Sequence, residues 1–281
     1  MLKPSLCTAA LLAATIPAQV RLLQPGDTAA RRAAAAKIER VIDAEHDLAT
    51  TVALAATSGA ALSTGSSARA KLADALRRAN EATDPARALA RVRLDLGELV
   101  DTLTFRPVDE AEVPEGFPRF CGLDEIELRR YPAYRMARTA MKAGGTDGAF
   151  WPLFNHIKDN GIAMTSPVQM DYRADGERAA SMAFLYGDRS TDPAKVGDGV
   201  EVVDVPAATV LSIGANGYER KGRVAALEQR LRAFVAASDG AWVVAGPLRT
   251  MAYNSPMVRG DRRYFEVQLP VRSAQPEQAR K

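Results

Sequence analysis

Two histidines, His46 and His156, and two cysteines, Cys7 and Cys121, are all that a chain of 281 residues offers as ligands and nucleophiles of those kinds. That scarcity limits its chemistry. The two histidines sit in unrelated contexts, so neither a His-rich metal site nor a Ser-His-Asp or Cys-His arrangement has support. There is no Cys-x-x-Cys-His segment, and a lone Cys121 reads as a buried or incidental thiol. The run Ala143-Gly144-Gly145-Thr146 lacks the lysine and the spacing of a phosphate-binding loop and reads as a flexible turn. What remains is apolar. Phe150, Leu153, Phe154 and Ile157 fall at i, i+3, i+4 and i+7 and share one helical face, which must be buried against something. These types point to binding rather than catalysis. His156 lies nearly opposite the centre of that stripe and reads as a surface residue.

The helix carrying the stripe has legible ends. Pro152 is tolerated only in a first turn, where its missing N–H has no intrahelical partner, so the regular helix is expected to start near Gly148 or Ala149. Asn160-Gly161 then stops it. Behind it runs Ile162-Ala-Met-Thr-Ser-Pro-Val168.

Composition is that of an ordinary globular protein. The formal charge of +3 is small for this length and its basic residues are interspersed with acids, so no nucleic-acid footprint is expected. Residues 1–18 read as a secretory signal, with Lys3 as the positive end, an apolar run from Leu6 to Ile16, and Ile16-Pro17-Ala18 as a cleavage site. The expected location is therefore periplasmic or secreted. An uncleaved N-terminal segment is the structural alternative and the one route to membrane association.

Residues 19–105 form an alanine-rich helical region, expected as a hairpin or three-helix bundle. The first helix carries Ile38, Val41, Ile42, Leu48 and Val52 and fades at Ser58-Gly59. The second comes after Gly65-Ser66-Ser67. The third starts at Asp84-Pro85, a cap followed by a proline that fits the first helical position. This region is a scaffold or spacer and the surface offered to any protein partner. Residues 106–123, with Pro107, Pro114, Gly116 and Pro118, form a linker that wraps onto the second domain, and 273–281 are expected as a flexible tail.

From residue 124 to 272 the chain repeats itself. Ile126-Glu-Leu-Arg-Arg-Tyr-Pro-Ala-Tyr134 aligns without a gap on Val200-Glu-Val-Val-Asp-Val-Pro-Ala-Ala208, setting Glu127 over Glu201 and Pro132 over Pro206. Each copy continues into a second strand, a helix and further strands. The second helix is expected at 222–236, and Phe265, Val267 and Leu269 alternate with Tyr264, Glu266 and Gln268 in the last strand. The predicted fold is α+β, with two pseudo-repeats curling antiparallel strands around a cleft and two helices packed outside.

Four patches together resemble the SOUL haem-binding family: Ile126 to Tyr134 with its Tyr-Pro-x-Tyr, the helix Phe150 to Ile157, the Ile162 to Val168 run, and Tyr264-Phe-Glu-Val267. The resemblance covers about half of the chain and leaves the helical region outside it. It implies a distorted antiparallel β-barrel of two repeats and non-covalent binding of haem or a related tetrapyrrole beside the first repeat's helix. It places Phe150, Phe154 and Ile157 on the ligand side of that helix, with Met164 in the run after it. Haem-binding members carry basic side chains on that helix, whereas this chain has Asp147 and Asn155. Charge for the propionates then falls to Arg135 or Lys158, with Arg138 and Arg173 as further candidates. No iron ligand is evident, and none is required for weak binding. Burying a few hundred Å² of porphyrin at ~25 cal/mol per Å² gives on the order of 8 kcal/mol before association costs, about the free energy of micromolar affinity.

Overall fold

Asp47, Ser66 and Asp84 each supply a side-chain oxygen to backbone N–H groups that a helix start leaves without partners. Asp47 accepts from Thr50 N at 2.7 Å, Ser66 from Arg69 N at 3.2 Å, and Asp84 from Ala86 N and Arg87 N at 3.1 Å. The computed structural model describes residues 27–141, 145–173 and 178–274. The signal-like residues 1–18 and most of the C-terminal tail lie outside them.

Those three caps open α2 (Leu48–Ser58), α3 (Ser67–Glu81) and α4 (Pro85–Thr104), which come after α1 (Asp27–Asp43). The described part of the helical region therefore has four α-helices and not the hairpin or three-helix bundle expected. The segment predicted as one helix through Val52 breaks ahead of Asp47, whose cap starts a new one. Their core joins Ile38 and Val41 of α1, Ala55 of α2, Leu72 and Leu76 of α3, and Val92, Leu96 and Leu99 of α4. Small residues let the helices close up. A Cβ on Gly59 would collide with Leu72 Cδ2.

Among the described residues, nine antiparallel strands make one sheet: β1 (Ile126–Tyr131), β2 (Tyr134–Ala140), β3 (Val168–Tyr172), β4 (Ala179–Leu185), β5 (Val200–Val205), β6 (Ala208–Asn216), β7 (Trp242–Val244), β8 (Arg249–Ala252) and β9 (Tyr264–Ser273). Their order is β1-β6-β9-β8-β3-β4-β2-β5, with β7 also paired to β9. The path is open. The expected closure into a barrel is not made by hydrogen bonds among the described residues, because β1 and β5 remain edges. Exchanging β1 with β5, β2 with β6, β3 with β8 and β4 with β9 returns the same order reversed.

Two helices lie on the sheet, α5 (Gly145–Asp159) and α6 (Lys221–Ala236). Val224, Leu227, Leu231 and Phe234 of α6 pack with Phe265, Val267 and Leu269 of β9, and Leu153 and Ile157 of α5 pack with Met182 and Phe184 of β4. The other face of β9 is also buried, which alternation alone does not foretell. Glu266, wholly buried there, accepts from Arg129 Nη1 at 2.6 Å, Gln268 Nε2 at 2.8 Å, Ser212 Oγ and Cys121 N at 2.9 Å, and Tyr264 Oη at 3.1 Å. These bonds satisfy the buried carboxylate.

The segment from Phe105 to Glu125 runs across the sheet. Phe117 meets Tyr131 and Tyr134 edge-on, and Phe120 does the same to Tyr253 and Tyr264.

Candidate functional site

Helix α5 turns two apolar sides to two different surroundings. Ala149, Leu153 and Ile157 are buried against the sheet, while Phe150 and Phe154 stand at the border of that stripe and are half-buried. Their rings stack at 5.8 Å and 15°, and Trp151 meets Phe154 edge-on at 5.8 Å. Pro152 lies at the eighth position of α5, further in than the first turn expected. Its missing donor leaves the Gly148 carbonyl without a helical partner, and the turns ahead of it reach back to Gly145. The far end has the expected stop. Gly161 takes φ +64 and Ile162 N returns to Ile157 O at 2.8 Å, closing the helix with a glycine cap.

Beyond the cap, Thr165 Oγ1 donates to Leu185 O at 2.6 Å and Ser166 Oγ to Ala111 O at 2.9 Å. These bonds hold the 162–168 run across from α5. Between them opens a cleft of about 710 Å³. Phe150, Phe154 and Met164 line one side, with Val168, Met170 and Met182 from the sheet, and Tyr253 with the 254–256 turn closes the other. Trp151 and Met164 stand partly in solvent at its mouth.

The remaining residues expected at the site lie elsewhere. Ile157 belongs to the core against β4. Arg135 is occupied by Asp204, its Nε and Nη2 lying 3.1 and 3.0 Å from the two carboxylate oxygens, and by Thr191 O at 3.1 Å. Lys158 is exposed and outside the lining. The guanidinium that does line the cleft is Arg263, which was not among the basic residues expected there. His156 is buried rather than on the surface, its Nε2 2.7 Å from Tyr186 Oη and its Nδ1 without a hydrogen-bond partner. Burial lowers its pKa below the usual imidazole range, against the pull of Asp159.

Three carboxylates share the lining with Arg263: Glu110, Asp147 and Glu219. Burial pushes the Glu110 carboxyl up, yet hydrogen bonds from Ser255 N and Oγ and from Asn254 outweigh it and leave its pKa lowered. Glu219 goes the other way. Burial raises its pKa, with the Thr250 hydroxyl and the Arg263 charge opposing. The phenol of Tyr253 is held well above its ordinary range, also by burial, and stays a neutral donor.

Glu110, Glu219, Tyr253 and Arg263 reach the cleft from segments far from α5 in sequence, and their only local signals were turn residues such as Asn254-Ser255-Pro256. Among the described residues, no group of three or more His, Cys, Asp or Glu side chains is placed to hold a metal ion, and no helix is long and apolar enough to cross a membrane.

Comparison with solved structures finds the C-terminal domain of EcmrR, 14% identical, covering 53% of this chain and 98% of that one at a TM-score of 0.43. A hydrolase from Listeria innocua is 10% identical, with 54% and 94% covered and a TM-score of 0.40. No curated protein matches the chain. Residues 118–270 match the family model described as SOUL heme-binding protein, a span that holds α5, the cleft lining apart from Glu110 and Ala111, and the sheet up to Pro270, and through it the chain belongs to the SOUL heme-binding protein family.

Proposed function

We propose that the chain binds haem or a related tetrapyrrole non-covalently in the cleft beside α5, as an exported carrier, scavenger or sensor. One observation carries this reading. Phe150, Phe154 and Met164, all within the segment matched to the family, form the apolar wall of a cleft whose volume falls within the roughly 300–1,000 Å³ of small-molecule sites.

The lining fits the apolar faces of a macrocycle, since stacked and edge-on aromatic rings complement a planar π-system. It does not offer a cradle for two propionates, because one guanidinium stands among three carboxylates. The macrocycle therefore enters with its propionates toward solvent, where water meets their charge. The same excess of carboxylates favours a second reading, in which the ligand is another flat hydrophobic compound without acidic groups.

The signal-like character of residues 1–18 supports export. For the barrel domain as a duplicated unit, the support is in the registers. The offset that lays Ile126 on Val200 turns the pair Tyr131↔Ala208 into Val205↔Tyr134, and both pairs occur. Two copies facing each other across β3 and β8 make a curled sheet the natural form of this domain.

Titrating the purified protein with haemin and following the Soret band tests the proposal. A saturable one-to-one shift is expected in the micromolar range. Absence of any shift up to tens of micromolar would remove haem and leave the second reading.

A further inference from the structure

A purely apolar ligand leaves one group of the cleft unsatisfied. Glu219, in the turn between β6 and α6, belongs to the lining, and its Oε2 is closed off from solvent with no hydrogen-bond partner among the described residues. A carboxylate oxygen placed this way has lost its hydration without gaining a donor, which is costly unless a cation arrives. The Arg263 charge offsets that cost only in part. Arg263 lays its guanidinium over the Tyr218 ring at 5.0 Å and donates to Asn254 O at 3.4 Å, while Glu110 and Asp147 add negative charge to the same walls. Phe150, Trp151, Phe154 and Tyr253 line the same cleft, and the quadrupoles of such rings also attract positive charge.

From this we infer that the cleft accepts planar aromatic cations, the positive charge pairing with Glu219 while the rings lie against Phe150 and Phe154. The inference rests on the reading of this cleft as a ligand site and adds a charge class that a tetrapyrrole bearing propionates does not belong to. A cation in contact with Glu219 draws its carboxyl back to the ionised form that burial disfavours.

Three tricyclic probes of nearly equal shape separate charge from stacking: 10-methylacridinium, neutral acridine and anthracene-9-carboxylate, each titrated into the full chain at pH 8 by fluorescence. The cation is expected to bind tightest, on the order of tenfold over acridine, with the anion weakest. Glu219→Gln, which keeps shape and removes charge, is expected to bring cation and neutral probe to within about twofold. A cation preference that survives Glu219→Gln, an anion binding as well as the cation, or no binding of any probe overturns the inference. If the variant fails to fold, the ranking on the unaltered chain still decides. Haemin titrated in parallel keeps the two readings apart. Haemin binding without cation binding overturns only the inference, and cation binding without haemin overturns only the haem assignment.

Discussion

Arg31 Nη1 lies 2.6 Å from Glu125 Oε1 across 94 positions of sequence, with both side chains almost entirely buried. The same carboxylate accepts from Ser67 N at 3.0 Å and Ala68 N at 3.1 Å, so it neutralises the start of α3 as well as the arginine of α1. Beside it Arg230 of α6 reaches Asp124 Oδ1 and O, and Ser67 Oγ. One acidic pair ahead of β1 thus ties the helical region to the sheet.

Removing one partner of such a pair leaves the other buried and uncompensated. Glu125→Ala is expected to destabilise the protein by about 3–5 kcal/mol, read as a lower urea midpoint. Lys71→Ala removes an ion pair to Asp124 that is half in solvent, and its expected cost is about 0–1 kcal/mol. Equal midpoints for the two variants would mean that the buried pair does not join the helices to the sheet.

The two sides of α5 predict opposite phenotypes. Leu153 is fully buried among β4 residues, so Leu153→Ala is expected to cost about 2–5 kcal/mol of stability through the cavity it leaves. Ligand affinity in the protein that remains folded should hardly change. Thermal unfolding and a haemin titration on the same sample check both halves.

The places where the sequence was readable are those where a local rule acts alone. Asp84-Pro85 marked the start of α4, Asn160-Gly161 the end of α5, and the helix expected at 222–236 lies within one residue of α6. Local rules mislead where a distant segment decides. His156 looked exposed on a helical wheel, yet Tyr186, 30 positions away, covers it and bonds its ring. Arg135 looked available, but register places it opposite Asp204 on β5. Glu219 and Arg263 reach the cleft only through the order of strands, which no periodicity states.

Stability should carry a histidine titration. Burial holds the His156 pKa below its unfolded value of 6.5. As pH falls through 6.5 the unfolded chain takes up a proton that the folded chain refuses, so stability is full above that point and declines below it until the folded imidazole also protonates. His156→Gln is expected to flatten the urea midpoint against pH in the window just below 6.5. A slope there as steep as that of the parent would assign it to other groups.

Phe154→Asp decides whether the wall of the cleft binds. Phe154 packs at the edge of the core and contributes ring area to the cleft, so its loss removes about 1.5–3 kcal/mol of apolar contact with a ligand, roughly a tenfold to hundredfold weakening. The new carboxylate adds to Glu110, Asp147 and Glu219 and deepens the effect for haemin, whose own charges are negative. His156→Gln, altered behind the helix, should leave the Soret titration within about twofold of the parent once folding is verified. If Phe154→Asp binds haemin as the parent does while His156→Gln does not, the ligand sits on the far side of α5, and the cleft drawn by Phe150, Phe154 and Met164 is not its site.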